Sequence, residues 1–326
     1  MTTENGNRRK FFKAAGAMTA GFAVAEALAN DERRGDAGDF IRTVQRAKIF
    51  DLSHVWDENS PIAGVNPPYS MFLNATHAGT RGTFDPAGQL SFTSEIQQWS
   101  GQHGAPSIDA IGHIGHNGKL FGGVDAAAST SDARGIGRSG VGAHLDIAHY
   151  PTELLVNRGV LLDVARFLNR NDSPLPPTFH INAEHLAETA RHQGVRIRRG
   201  DTVLVRTGWG KLFTDDPATY KGDTAAGVGV SGAQYLIDQK ARVVGNDTLT
   251  FEPRPPVANP PETPQFQVFP VHMLVIADNG INIIENYFLE EIAAAREYEF
   301  LLVVPPLKIR GGTGSGLRSF AMVPRD

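Results

Sequence analysis

Apolar and polar positions follow two distinct rhythms along this chain. "LSFTSEIQQW", residues 90–99, changes side at nearly every step, and residues 68–100 as a whole suit antiparallel strands. "INAEHLAETARHQGV", residues 181–195, has a helical period instead. Leu186, Ala190 and Val195 fall on one side, and Asn182 is the N-cap. Compact apolar runs predict strands in "AKIFDLSHVW" (47–56, running into a turn), "RGVLLDVARF" (158–167), "GDTVLVRTGW" (200–209) and "EFLLVVPPLKI" (299–309, the closing strand). "SGAQYLIDQKARVVGNDT" reads as a helix and then a strand over 241–245. "FPVHMLVIADNGINIIEN", residues 269–286, reads as a helix, a stop at Gly280 and a strand. Strict β-α-β alternation is missing, so the pattern predicts one mixed α/β domain over residues 47–326. Residues 31–46 are a linker or a first short helix before it.

Composition narrows the chemistry. The chain has 326 residues, enough for a sizeable core, with 41% hydrophobic and 20% charged positions. A formal net charge of -4 gives no basic field for phosphates, so nucleic acid is not an expected partner. With no cysteine, any metal must be held by His, Asp, Glu or weaker oxygen donors.

The N-terminus differs in kind. Arg8 and Arg9 precede Phe11, Phe12 and Lys13, and an Ala/Gly-rich run follows, ending at "ALA", residues 27–29. Residues 1–30 resemble a bacterial twin-arginine export signal. The run is too short to span a bilayer comfortably and Glu26 interrupts it; no other segment is long and apolar enough to span a membrane, so no stable insertion is expected once the signal is removed. The resemblance implies a folded, exported protein in the periplasm or outside the cell.

The candidate chemistry lies in "GQHGAPSIDAIGHIGHNG", residues 101–118. Small residues let a short segment fold back so that His103, Ser107, Asp109 and His113 can converge. Asp oxygen with His nitrogen suits Zn²⁺ or Mn²⁺ better than a soft metal. Satisfied surface or core histidines are the competing reading of the same spacing.

"HGAPSIDAIGH", residues 103–113, resembles the metal motif His-x-Gly-Thr-His-x-Asp-x-Pro-x-His of the cyclase family of metal-dependent hydrolases, which includes bacterial kynurenine formamidase and isatin hydrolase. The first His, the Asp and the last His match in spacing. Ala105 and Pro106 stand for Gly-Thr, Ser107 for the second His and Ile111 for the Pro. "IFDLSHVWDENSPI", "RGVLLDVA", "GDTVLVRTGWGKLF", "VGVSGAQYLIDQKARVVGNDT" and "VHMLVIADNGINIIENYFLEEI" resemble further family segments in the same order. The resemblance spans roughly residues 47–306.

That resemblance implies a swivelling β/β/α domain, with a mixed, barrel-like central sheet flanked by helices, that forms a homodimer or larger oligomer. It implies His103, Asp109, His272 and Glu285 as metal ligands, with Asp109 able to bridge two ions, and His113 as general acid/base. Ser107 is a far weaker ligand than imidazole, so one firmly held ion or an asymmetric pair is expected. His116, outside the aligned motif, is a substitute ligand. Trp56 is an aromatic wall of the substrate site or a packing residue, and Phe121 faces substrate or a neighbouring subunit. The implied reaction is hydrolysis of an amide or ester carbonyl in a small, cyclic substrate: a lactone, cyclic amide or aryl formamide. The opposing reading is a catalytically inactive exported binding protein on the same scaffold.

Other features read as structural. "GGTGSG", residues 311–316, lacks the lysine and context of a P-loop and reads as a flexible surface loop. Asp163 and Asp247 read as structural strand-end groups, with a place at the edge of the pocket as the alternative, and Trp209 as core. His54, His77, His144, His149, His180, His185 and His192 read as ordinary surface or turn residues.

Overall fold

The computed structural model describes residues 37–62, 66–102 and 104–325. The export-signal reading and His103 fall outside the described residues. The chain divides into a small unit, residues 1–48 with 324–326, and a large one, residues 49–323. In the small unit residues 37–46 are helical, within the stretch read as a linker or first short helix.

The large unit is built on a strongly curled, half-barrel sheet of nine strands. In chain order these are β1 (Lys48–Asp51), β2 (Ser107–Asp109), β3 (Val156–Asp163), β4 (Thr202–Arg206), β5 (Val243–Asn246), β6 (Asn282–Glu285), β7 (Glu299–Val303), β8 (Gly314–Gly316) and β9 (Phe320–Val323). Their order across the sheet is β1-β9-β7-β3-β4-β5-β6-β2-β8. The four central strands, β3 to β6, run parallel. Antiparallel strands flank them, β7 and β9 on one side, β2 and β8 on the other.

The central strands read as unbroken apolar runs because both of their faces are covered. Val160, Leu162, Val203, Val205, Val244 and Ile283 face one core, with Leu186, Ala190 and Leu236 from the helices Ala183–Gln193 and Val230–Asp238. Leu161, Leu204, Val243 and Ile284 face a second core, with Ile108, Leu302 and Ile292. The helix Ala183–Gln193 starts as expected: the Asn182 side chain accepts from His185 N, and the His185 ring returns a bond to Asn182 N. The expected antiparallel strands within 68–100 are a separate hairpin, Ser70–Ala75 with Ser94–Gln98.

Two local expectations need correction. The run 158–167 is not one strand: it stops at Asp163, whose carboxylate accepts from Arg166 N and caps the helix Val164–Asn169. "GGTGSG" is not a flexible surface loop. It holds β8, which pairs with β2, and Ser315 is fully buried, accepting from Leu307 N and donating to Gly316 O. Glycine is required by close approach: a Cβ at Gly104 would lie 2.5 Å from Gly316 Cα. Asp163 and Asp247 are structural, as read. Asp163 pairs with Arg206, and Asp247 accepts from Thr207 N, Thr207 Oγ1, Gly208 N and Gly210 N.

Candidate metal centre

The site grows from the seam where the parallel core meets its antiparallel flank. Ile108 pairs with Ile284 and Ser107 with Glu285, and both isoleucines face the second core. Because side chains alternate along strands, Ser107, Asp109 and Glu285 are turned to the opposite face. His272 reaches the same point from the last residue of a short helical turn, Pro270–His272, which continues as a π-helical turn, Met273–Asp278. Such turns place side chains where a regular helix would not.

Asp109, His272 and Glu285 bring one ligand atom each within 4.8 Å of one another, and all three are buried. His272 Nε2 lies 3.2 Å from Glu285 Oε1 and 3.8 Å from Asp109 Oδ2. His113 Nε2 stands 4.0 Å from Asp109 Oδ1, with its side chain 31% exposed. The geometry thus gathers four residues singled out in the sequence.

Others are placed differently. Ser107 is buried beside the cluster, its hydroxyl donating to Gln102 O at 2.9 Å. His116 pairs instead with Asp278 at 2.9 Å and makes no hydrogen bond or ion pair with Asp109, His272 or Glu285 among the described residues. Trp56 packs against Tyr69, ring centroids 4.9 Å apart, and against Trp99 at 5.9 Å, and its ring borders Gly316 of β8. Phe121 lines a different cavity, whose walls include none of Asp109, His113, His272 or Glu285.

Two residues escaped the sequence reading. Glu252 is buried, and its Oε1 lies 2.6 Å from His272 Nδ1 and accepts from His272 N at 3.0 Å. This bond turns Nε2 toward Asp109 and Glu285, the arrangement of a carboxylate that orients a metal-bound histidine. The preceding residue, Phe251, donates its N–H to Glu285 Oε1 at 3.0 Å. No motif flags Glu252. His54 also reads as ordinary in the sequence, yet its ring stacks on Phe213 with centroids 4.0 Å apart, and its backbone N–H donates to Ala105 O at 2.9 Å. Burial pushes its pKa down to about 4, against a hydrogen bond to the Tyr287 backbone that raises it. The signal was available: Leu52, His54 and Trp56 continue one strand-like alternation.

The electrostatics of the cluster call for a cation. Burial pushes the Asp109 pKa up to about 6; His113 lowers it, Glu285 raises it further and His272 lowers it. Burial alone would lower the His272 pKa, but hydrogen bonds and charge from Glu252 and Glu285 reverse this and hold it well above the ordinary value. Asp109 Oδ2 is buried and has no hydrogen-bond partner among the described residues. A buried carboxylate oxygen is rarely left so unless an ion or water serves it.

A family profile described as putative cyclase matches residues 50–253. The chain belongs to the cyclase family. The matched region contains Asp109, His113 and Glu252, while His272 and Glu285 lie beyond it. Among cyclase relatives, the isatin hydrolase of Roseibium aggregatum is 28% identical over 158 residues, which is 47% of this chain. The chain spans about half, 56%, of that relative's length in the match. A solved structure described as a novel cyclase is 26% identical, covers 86% of this chain and 90% of its own, and has a TM-score of 0.70. Isatin hydrolase A from Labrenzia aggregata, bound to benzyl benzoate, shares the fold at 22% identity and a TM-score of 0.65, covering 89% of this chain and 100% of its own. The expected cyclase fold is borne out.

Proposed function

We propose that this cyclase is a metal-dependent hydrolase of an amide or ester carbonyl in a small, cyclic substrate. A lactone, a cyclic amide and an aryl formamide all fit. The observation that carries the reading is the convergence of Asp109, His272 and Glu285, with Asp109 Oδ2 buried and unpartnered among the described residues. Two carboxylates and one oriented imidazole fit Zn²⁺ or Mn²⁺. These three residues would hold the ion, with His103 as a further ligand and Ser107 as a weak one.

Such an ion, when bound, supplies Lewis acidity and lowers the pKa of its water. The remaining work falls to the chain. His113 takes a proton from the attacking water at Nε2 and returns it to the leaving group; its partial exposure lets it face both the cluster and an incoming substrate. Glu252 fixes the His272 ring, and Trp56 forms one wall. The proposal includes twin-arginine export and a homo-oligomer.

Metal analysis of the purified protein is the first test, followed by turnover of lactone, cyclic-amide and aryl-formamide panels with Zn²⁺ and Mn²⁺, before and after chelation. His113→Ala should keep the metal and lose roughly 10²–10⁴-fold in kcat, the range of a general acid/base. Survival of full activity removes His113 from its role. A protein that binds no divalent ion and turns over none of the panel is the binding protein instead.

A further inference from the structure

The parallel strands have two ends, and the cluster occupies one. Glu285 is the last residue of β6, whereas Asn282 is its first and Arg242 immediately precedes β5. At this opposite end lies a cavity of about 250 Å³, lined in part by Ala110, Leu145 and Ile147. Phe121 and Tyr150 supply aromatic walls, and Arg242 also lines it. Phe121 takes its position because Gly280, at φ 64°, leaves the space: a Cβ there would lie 2.7 Å from the ring.

The charges are unbalanced. Asp146 also lines the cavity, but both its oxygens are engaged, Oδ1 with His149 Nδ1 at 2.6 Å and Oδ2 with Gly311 N at 2.7 Å. Arg242 makes no ion pair among the described residues. It also lines a neighbouring cavity of about 380 Å³ together with Arg199 and Lys240, which likewise make none there. Three uncompensated cations around adjoining cavities concentrate anions. Apolar and aromatic walls with a single charged anchor are the usual make-up of a small-molecule site.

We propose that this cavity binds a small planar aromatic anion, a carboxylate or sulfonate, with its ring between Phe121 and Tyr150 and its acid group on Arg242. The site is separate from the metal centre and needs no ion. One physical link joins them: Asn282, which lines the cavity, donates Nδ2–H to the backbone oxygen of Asp109 at 2.7 Å.

Calorimetric titration of the full chain, in excess chelator, with 2-naphthoate, 2-naphthamide and inorganic phosphate tests the proposal. Naphthoate should bind one to one, and the neutral amide and ringless phosphate at least tenfold more weakly. Arg242→Gln should weaken naphthoate at least tenfold, Arg242→Lys should recover part of the loss, and Arg191→Gln on a remote helix should change nothing. Circular dichroism checks that each variant folds. Absence of naphthoate binding, equal binding of the amide, or unchanged binding in Arg242→Gln overturns the proposal.

Discussion

Glu252 Oε1 lies 2.6 Å from His272 Nδ1 and also accepts that residue's own N–H, so one buried carboxylate sets both the ring and the backbone of a candidate ligand. Glu252→Gln keeps the shape but changes the charge and the proton that defines the His272 tautomer. The expected result is a 10–100-fold weaker metal affinity, the usual effect of removing such a partner. Competition against a chromogenic chelator measures it, and a wild-type affinity would show that Glu252 only packs.

Metal binding should also depend on pH with a slope that changes. In the ion-free protein Asp109 binds its proton below about pH 6, and His272 holds its proton to well above the ordinary value. A cation must displace both. Affinity should fall about tenfold per unit as pH drops toward 6, where one proton is released, and about a hundredfold per unit below it, where two are. Because the folded Asp109 pKa is raised, the ion-free fold binds extra protons between about pH 4 and 6. Its stability contribution from this group therefore falls as pH rises through that window. Titrations at several pH values report the slope directly.

His54 has the opposite sign of linkage. Its folded pKa of about 4 lies below the usual imidazole value, so the unfolded chain binds more protons between the two. Stability should fall as pH drops from about 6.5 to about 4, by on the order of 2–3 kcal/mol. His54→Phe, which preserves a ring against Phe213, should lack this component. Urea unfolding of both proteins at neutral and acid pH measures the difference.

Arg206 is almost fully buried between Asp163, 2.8 Å from its Nη1, and Glu290, 2.6 Å from its Nη2. Arg206→Met leaves two carboxylates without their counter-charge in the interior. A loss of about 3–5 kcal/mol is expected, with the candidate metal ligands themselves untouched. Denaturant unfolding reads it out. A loss below about 1 kcal/mol would mean that water reaches the pair.

Much of the candidate site was legible because its residues sit at fixed spacings within two short segments. Asp109 and His113 are one turn of chain apart, and His272 and Glu285 flank a readable helix–stop–strand. The helix Ala183–Gln193 was legible through Asn182 and its apolar stripe. Glu252 was not, because it acts across space on a residue 20 positions away and carries no local pattern of its own. β8 was missed since three small residues in a glycine-rich run look like a loop; what makes them a strand is their pairing with β2, which no local rule encodes. The parallel core was obscured because its crossovers mix helices with irregular pieces, as between β4 and β5.

The seam between β2 and β6 brings together residues 173 positions apart, as Asn282 and Asp109 show. Closing so long a loop carries an entropic cost that must be met before the contacts across it form. The candidate ligands on either side are therefore strangers in the unfolded chain and meet only when the sheet is complete. A cation that finds all three will recognise the finished fold alone, and its affinity becomes a tether between two distant segments of the chain.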